Sequence, residues 1–95
     1  LKPLIIAGRE IKSRLFLGTG KFPSPKVMAE ALEVSGAEIV TVALRRVSFD
    51  SPDPTLSAID FDKYLVLPNT SGAKDAEEAV RLARLARAAS GINWV

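Results

Sequence analysis

Short apolar runs alternate along this chain with longer amphipathic stretches, and each change of period marks an element. Leu4-Ile5-Ile6-Ala7 and Glu10-Ile11-Lys12-Ser13, on either side of Gly8-Arg9, predict a short hairpin. Arg14-Leu15-Phe16-Leu17 is a compact apolar run ended by Gly18-Thr19-Gly20, which reads as a buried strand entering a glycine-rich turn. Ser24-Pro25 predicts a helix start, with Ser as N-cap and Pro at the first helical position, where a missing N–H costs nothing. Val27, Met28, Ala31 and Leu32 share one face of that helix, and Gly36 stops it. Residues 38–44 form the next strand; their continuous apolar character predicts burial on both faces, as in a parallel sheet.

Residues 45–62 break the rhythm. Asp50-Ser51-Pro52-Asp53-Pro54 requires a turn-rich loop, and Thr55 can cap a short helix over residues 56–61. Loops of this length in compact domains are usually functional or mobile. Residues 63–67 predict a third strand, closed by Pro68. The following helix opens on a capping box, Asp75 with Glu78. Ala76, Ala79, Val80, Ala83 and Ala86 make a narrow apolar stripe on it. Glu77, Arg81, Arg84 and Arg87 face outward, acids early and bases late, as the helix dipole favours. Gly91 ends the helix, and Ile92-Asn93-Trp94-Val95 reads as a new strand cut off after four residues.

The expected order is β-α-β-(short helix)-β-α-β, with the repeat length of a βα unit. The fold class expected is α/β: the N-terminal half of a (βα)8 barrel, with about four parallel strands behind a short hairpin. An open, flavodoxin-like sheet is the alternative. Residues 1–95 are read as one partial domain, with the hairpin at 1–13 and the first βα units at 14–95. The interrupted last run favours a piece of a larger barrel.

Composition narrows the chemistry. Ninety-five residues hold one small core at most, and 47% apolar with 25% charged residues suits an ordinary globular chain. A net charge of +2 gives no reason to expect a nucleic-acid partner. There is no cysteine and no histidine, which excludes Ser-His and Cys-His catalysis and thiolate metal sites within this chain. No metal or cofactor is expected. No apolar run approaches the roughly 20 residues a membrane helix needs, so no membrane partner is expected. The first residues are too short for a signal peptide, and the start at Leu1 suggests trimming; a cytoplasmic setting is the default.

Ligands of α/β folds bind at the carboxyl ends of strands. Three segments fall there. Gly18-Thr19-Gly20-Lys21 resembles a P-loop only faintly: Leu15 stands where its first Gly belongs and Phe22 where it needs Ser or Thr. A tight turn with a solvated lysine is the simpler reading. Arg45 and Arg46 suit bidentate contact with phosphate or carboxylate, or structural pairing with Asp50 or Asp53. Asn69, Thr70, Ser71 and Gly72 offer an amide, hydroxyls and backbone N–H groups to a pocket, or simply satisfy their own loop, with Gly72 at positive φ. Arg45, Arg46, Asn69 and Thr70 are the candidate substrate-binding residues, and no catalytic residue is assigned. Lys2, Lys12, Lys26, Lys63 and Lys74 fall at positions expected to be exposed, poor places for a Schiff-base lysine. Asp60 and Asp62 sit near a strand's amino end, the stability face of a barrel.

Taken in order, several stretches closely resemble bacterial thiazole synthase of thiamin biosynthesis. They are Ile6-Ala7-Gly8-Arg9, Ser13-Arg14-Leu15, Gly18-Thr19-Gly20-Lys21, residues 40–46, Leu67-Pro68-Asn69-Thr70-Ser71-Gly72, residues 76–87 and Asn93-Trp94-Val95. Ser71 is a small departure, since the family often has Ala there. The resemblance implies a (βα)8 barrel. It also implies an enzyme joining 1-deoxy-D-xylulose 5-phosphate, dehydroglycine and sulfur delivered as a thiocarboxylate on a small sulfur-carrier protein. It places the imine-forming lysine just after the Asn-Trp-hydrophobic run, beyond Val95, and the phosphate loops later still. This chain is therefore expected to be an inactive fragment that self-associates through its open edges. A built or evolved half-barrel and a small α/β binding module are the alternative readings.

Overall fold

The computed structural model describes residues 2–43 and 54–95. Strands β1 (Leu4–Ile6) and β2 (Arg9–Ile11) pair antiparallel, Leu4 opposite Ile11 and Ile6 opposite Arg9. Their two-residue turn, Ala7-Gly8, has φ of 50° and 79°. Positive φ at both positions matches the twist of a tight hairpin. The hairpin anticipated around Gly8 is present.

Three parallel strands follow: β3 (Phe16–Gly18), β4 (Ile39–Ala43) and β5 (Leu65–Asn69), in that spatial order. Helix α1 (Pro25–Ser35) connects the first two, and α2 (Pro54–Ser57) and α3 (Ala76–Ser90) complete the described elements. The chain is thus an α/β structure built on a parallel three-stranded sheet, consistent with part of a (βα)8 barrel. The register aligns Phe16 with Ile39 and Leu65, then Gly18 with Thr41 and Leu67, then Ala43 with Asn69.

The helix ends follow the sequence signals. Ser24 caps α1 by accepting the Val27 N–H, and Pro25 is its first residue. Asp75 caps α3 by accepting the Glu78 N–H at 2.8 Å. The return bond of this box is displaced by one residue: Glu78 Oε2 accepts the N–H of Lys74, not of Asp75. Gly36 and Gly91 close the two helices in left-handed conformation.

Side chains alternate across a strand, and here one face is packed and the other half open. Val40, Val42 and Val66 join Met28 and Leu32 of α1, with Ala37 and Ile59, in one buried cluster. Leu17, Tyr64, Leu56 and Ile92 pack around it. The opposite face carries Phe16, Ile39 and Leu65, then Gly18, Thr41 and Leu67, then Asn69. Ile39 is buried at the lower end of this face, while Phe16 is 40% exposed and Leu65 and Leu67 are half-buried. The hairpin is tied to the amino end of β4: Glu38 Oε1 accepts the N–H groups of Lys12 and Ser13, both at 2.8 Å.

Four expectations are corrected. The third strand does not close at Pro68 but runs through it to Asn69. Leu65 N–H donates to Glu38 O, so by alternation Leu67 and Asn69 turn their N–H groups to β4. Position 68 then faces the unpaired edge, where proline sacrifices no ladder bond. Ile92-Asn93-Trp94-Val95 forms no strand; the segment leaves Gly91 as irregular chain, with Ile92 against the core. Val27 is 40% exposed rather than on the inner face of α1, and Val80 of α3 is 48% exposed. The short helix begins at Pro54 and ends at Ser57, so Thr55 lies inside it.

Candidate functional site

Parallel strands place all their carboxyl ends on one side of a sheet. A cavity of about 340 Å³ opens there. Its wall is the turn from Gly18 to Pro25, the strand ends Thr41 to Ala43, and Asn69, with Met28 and Thr55. The turn is held down by Thr19, whose hydroxyl donates to the Thr41 carbonyl at 3.0 Å. Lys21 follows in the left-handed region, φ 67°, a conformation non-glycine residues adopt at a cost of roughly 1–2 kcal/mol. The Thr41 hydroxyl lies over Gly18, 3.6 Å from where a side chain there would begin.

Asn69 is brought to this cavity by the last position of β5. Its Oδ1 accepts the Ser71 N–H at 3.1 Å, an Asx turn that fixes the carboxamide and leaves its N–H₂ directed elsewhere. Thr70 does not line that cavity. It borders a different, shallower recess of about 370 Å³ between β5 and α3, lined by Asn69, Ala79, Val80, Ala83 and Val95. The Thr70 carbonyl accepts the Ala73 N–H, and Gly72 has the positive φ its turn requires, 88°. Arg45 and Arg46 lie outside the described residues. The candidates Asn69 and Thr70 therefore share the recess beside α3, and Asn69 alone also reaches the strand-end cavity.

The remaining polar candidates resolve simply. Lys2, Lys12, Lys26, Lys63 and Lys74 are exposed, as anticipated. Asp60 builds a turn: its carboxylate accepts the Asp62 N–H and its carbonyl the Lys63 and Tyr64 N–H groups. No group of His, Cys, Asp or Glu suited to hold a metal occurs among the described residues. No helix among them is long and apolar enough to cross a membrane.

Two residues of the cavity stand outside the sequence candidates. Lys21 is an exposed lysine on a tight turn, as its failure of the P-loop pattern implies. Thr41 sits inside an apolar run, where a lone hydroxyl at an alternating position of a buried strand is a signal for the face opposite α1.

Comparison with known proteins bears on the whole chain. The family model described as "Thiazole biosynthesis protein ThiG" matches residues 5–95. The chain is 66% identical over 95 residues to the thiazole synthase of Syntrophobacter fumaroxidans, covering 99% of this chain and 37% of that protein. It is 68% identical over 93 residues to thiazole synthase 2 of Syntrophotalea carbinolica, covering 97% and 36% respectively. With the thiazole synthase of Aquifex aeolicus it shares 55% over 94 residues, covering 97% and 35%. The chain thus spans little more than a third of the relatives it matches.

Proposed function

The chain belongs to the ThiG family of thiazole biosynthesis proteins, and from that membership we propose that it is the N-terminal part of a thiazole synthase barrel. Its role is to supply the first strand ends of the active-site wall. The observation that carries this reading is similarity over 97–99% of the chain to thiazole synthases, of which it spans 36–37%. The strand order supports it. β3, β4 and β5 add in sequence order, each beside the last, without the reversal that marks the switch point of a doubly wound sheet. The half-covered face of Phe16, Leu65 and Leu67 is the face that later strands of a barrel would enclose.

The parent reaction, as the family resemblance implies, condenses 1-deoxy-D-xylulose 5-phosphate with dehydroglycine and carrier-borne sulfur. Lys2, Lys12, Lys26, Lys63 and Lys74 are exposed and none lines the strand-end cavity, and Lys21, which does, has no carboxylate among the described lining residues to act as its acid–base partner in imine formation. We therefore expect it to be inactive by itself. The test is complementation. The chain is mixed with the remaining two-thirds of the Syntrophobacter fumaroxidans enzyme, and the ketose phosphate is trapped on protein with borohydride. Trapping only in the mixture supports the reading; trapping by the chain alone, or none in a folded mixture, overturns it.

A second reading concerns the isolated chain and stands on a separate observation. Among the described residues β5 is paired on one side only, and Val80 and Leu85 of α3 are 48% and 43% exposed. An unpaired strand beside apolar surface is a template for association. The isolated chain therefore self-associates.

A further inference from the structure

The cavity at the strand ends has an unusual balance of hydrogen-bonding groups. Among the described residues that line it, Lys21 is the one charged residue and there is no carboxylate. Thr41 and Asn69 line the same cavity, and each carries a side-chain donor, a hydroxyl and a carboxamide N–H₂; Ser24 and Thr55 line it too, with the Ser24 Oγ accepting from the α1 N-terminus. Among the described residues none of the three donors of Lys21, Thr41 and Asn69 has an internal acceptor. Outside the strand ladder Thr41 is engaged through its carbonyl, the Asn69 side chain through Oδ1, and Lys21 makes no bond. Thr19 adds no donor, because its proton is committed to Thr41 O. The amino end of α1 borders the cavity but has little left to give. Pro25 has no N–H, the Val27 N–H goes to Ser24 Oγ, and the Met28 N–H goes to Ser24 O.

We propose that this cavity is an oxyanion subsite, with Lys21 as its charge-recognising residue and Thr41 and Asn69 as its neutral donors. Three donors with no facing acid among the described residues suit a carboxylate or phosphate oxygen, and a charge-assisted bond to such a group is the stronger kind. Lysine is suited to this as a compact point charge that can follow its ligand. The left-handed backbone at Lys21 sets that charge on the turn beside the cavity rather than along α1. Which reactant brings the oxyanion rests on the proposed thiazole synthase activity: since the resemblance puts the phosphate loops beyond Val95, the imino acid's carboxylate is the expected occupant, and the ketose phosphate's phosphate is the other outcome of the test.

Binding is measured first, independently of turnover. Inorganic phosphate and acetate are titrated by NMR into the 95-residue chain. They are also titrated into the Syntrophobacter fumaroxidans enzyme carrying these residues in place of its own first third. The expected result is a saturable shift of the Gly18, Gly20 and Asn69 signals in at least one of the two proteins. Lys21→Met should weaken it about tenfold or more, and Lys21→Arg should retain it. No saturable shift in either protein, or the same affinity in Lys21→Met, overturns the proposal. The grafted enzyme then identifies the source. Lys21→Met raises KM for the ketose phosphate alone if phosphate is bound, and for the imino acid alone if carboxylate is bound; unchanged KM for both overturns the subsite. A grafted enzyme without turnover would count against the family activity while leaving the anion titration to decide the subsite.

Discussion

Ala7 is the residue most at odds with its own conformation outside the cavity. It sits at φ 50° beside Gly8, in a turn whose favoured pair is Asn-Gly. Ala7→Asn should raise stability by about 1 kcal/mol, since Asn tolerates the left-handed region that alanine resists. An unchanged or lowered melting temperature would contradict the turn. Leu32 tests the core at the same scale. It is 1% exposed against Val40 and Val42, so Leu32→Ala should cost roughly 2–5 kcal/mol in denaturant unfolding. These residues were legible in the sequence for different reasons. Leu32 follows from helical period, and the turn from Gly8 between two apolar runs. Lys21 was legible as an exposed lysine on a tight turn, but its left-handed backbone was not, because a motif test asks about phosphate-loop spacing and is silent on backbone conformation. Arg45 and Arg46 remain sequence candidates only.

At the scale of elements, the capped helices and the three parallel strands were legible because each carries its own period and stop signal. The strand limits were not, and Pro68 explains why. Proline reads as a terminator, yet at an edge its missing N–H faces no partner, so β5 continues to Asn69. Restoring the donor with Pro68→Val should extend the pairing edge and shift the isolated chain toward larger assemblies in light scattering. An unchanged mass distribution would mean that this edge is not the associating surface. Ile92 to Val95 shows the opposite error: the segment has strand composition without a strand, because composition supplies no ladder. Glu38 supplies a tie that no local pattern announced, since its partners lie 25 and 26 residues earlier. Removing it with Glu38→Ala should speed hydrogen exchange at Lys12 and Ser13 by about tenfold or more, the value of a charge-assisted bond, and leave α3 unaffected.

For the molecule as a whole, the sheet has one face packed by α1 and one face half open, with its strand ends gathered around a donor-lined cavity. That asymmetry accounts for the resemblance to a third of a larger enzyme and for the expectation that the chain alone associates without catalysing. Sequence similarity made the family legible at once. It could not show how the wall is built, because Thr19, Lys21, Thr41 and Asn69 are gathered by parallel register rather than by proximity in the chain. The most direct measurement is thiazole phosphate formation by the Syntrophobacter fumaroxidans enzyme with its first third replaced by these 95 residues. The account predicts turnover comparable to the parent enzyme, with none from the 95-residue chain alone. A soluble, folded replacement protein without turnover would contradict it.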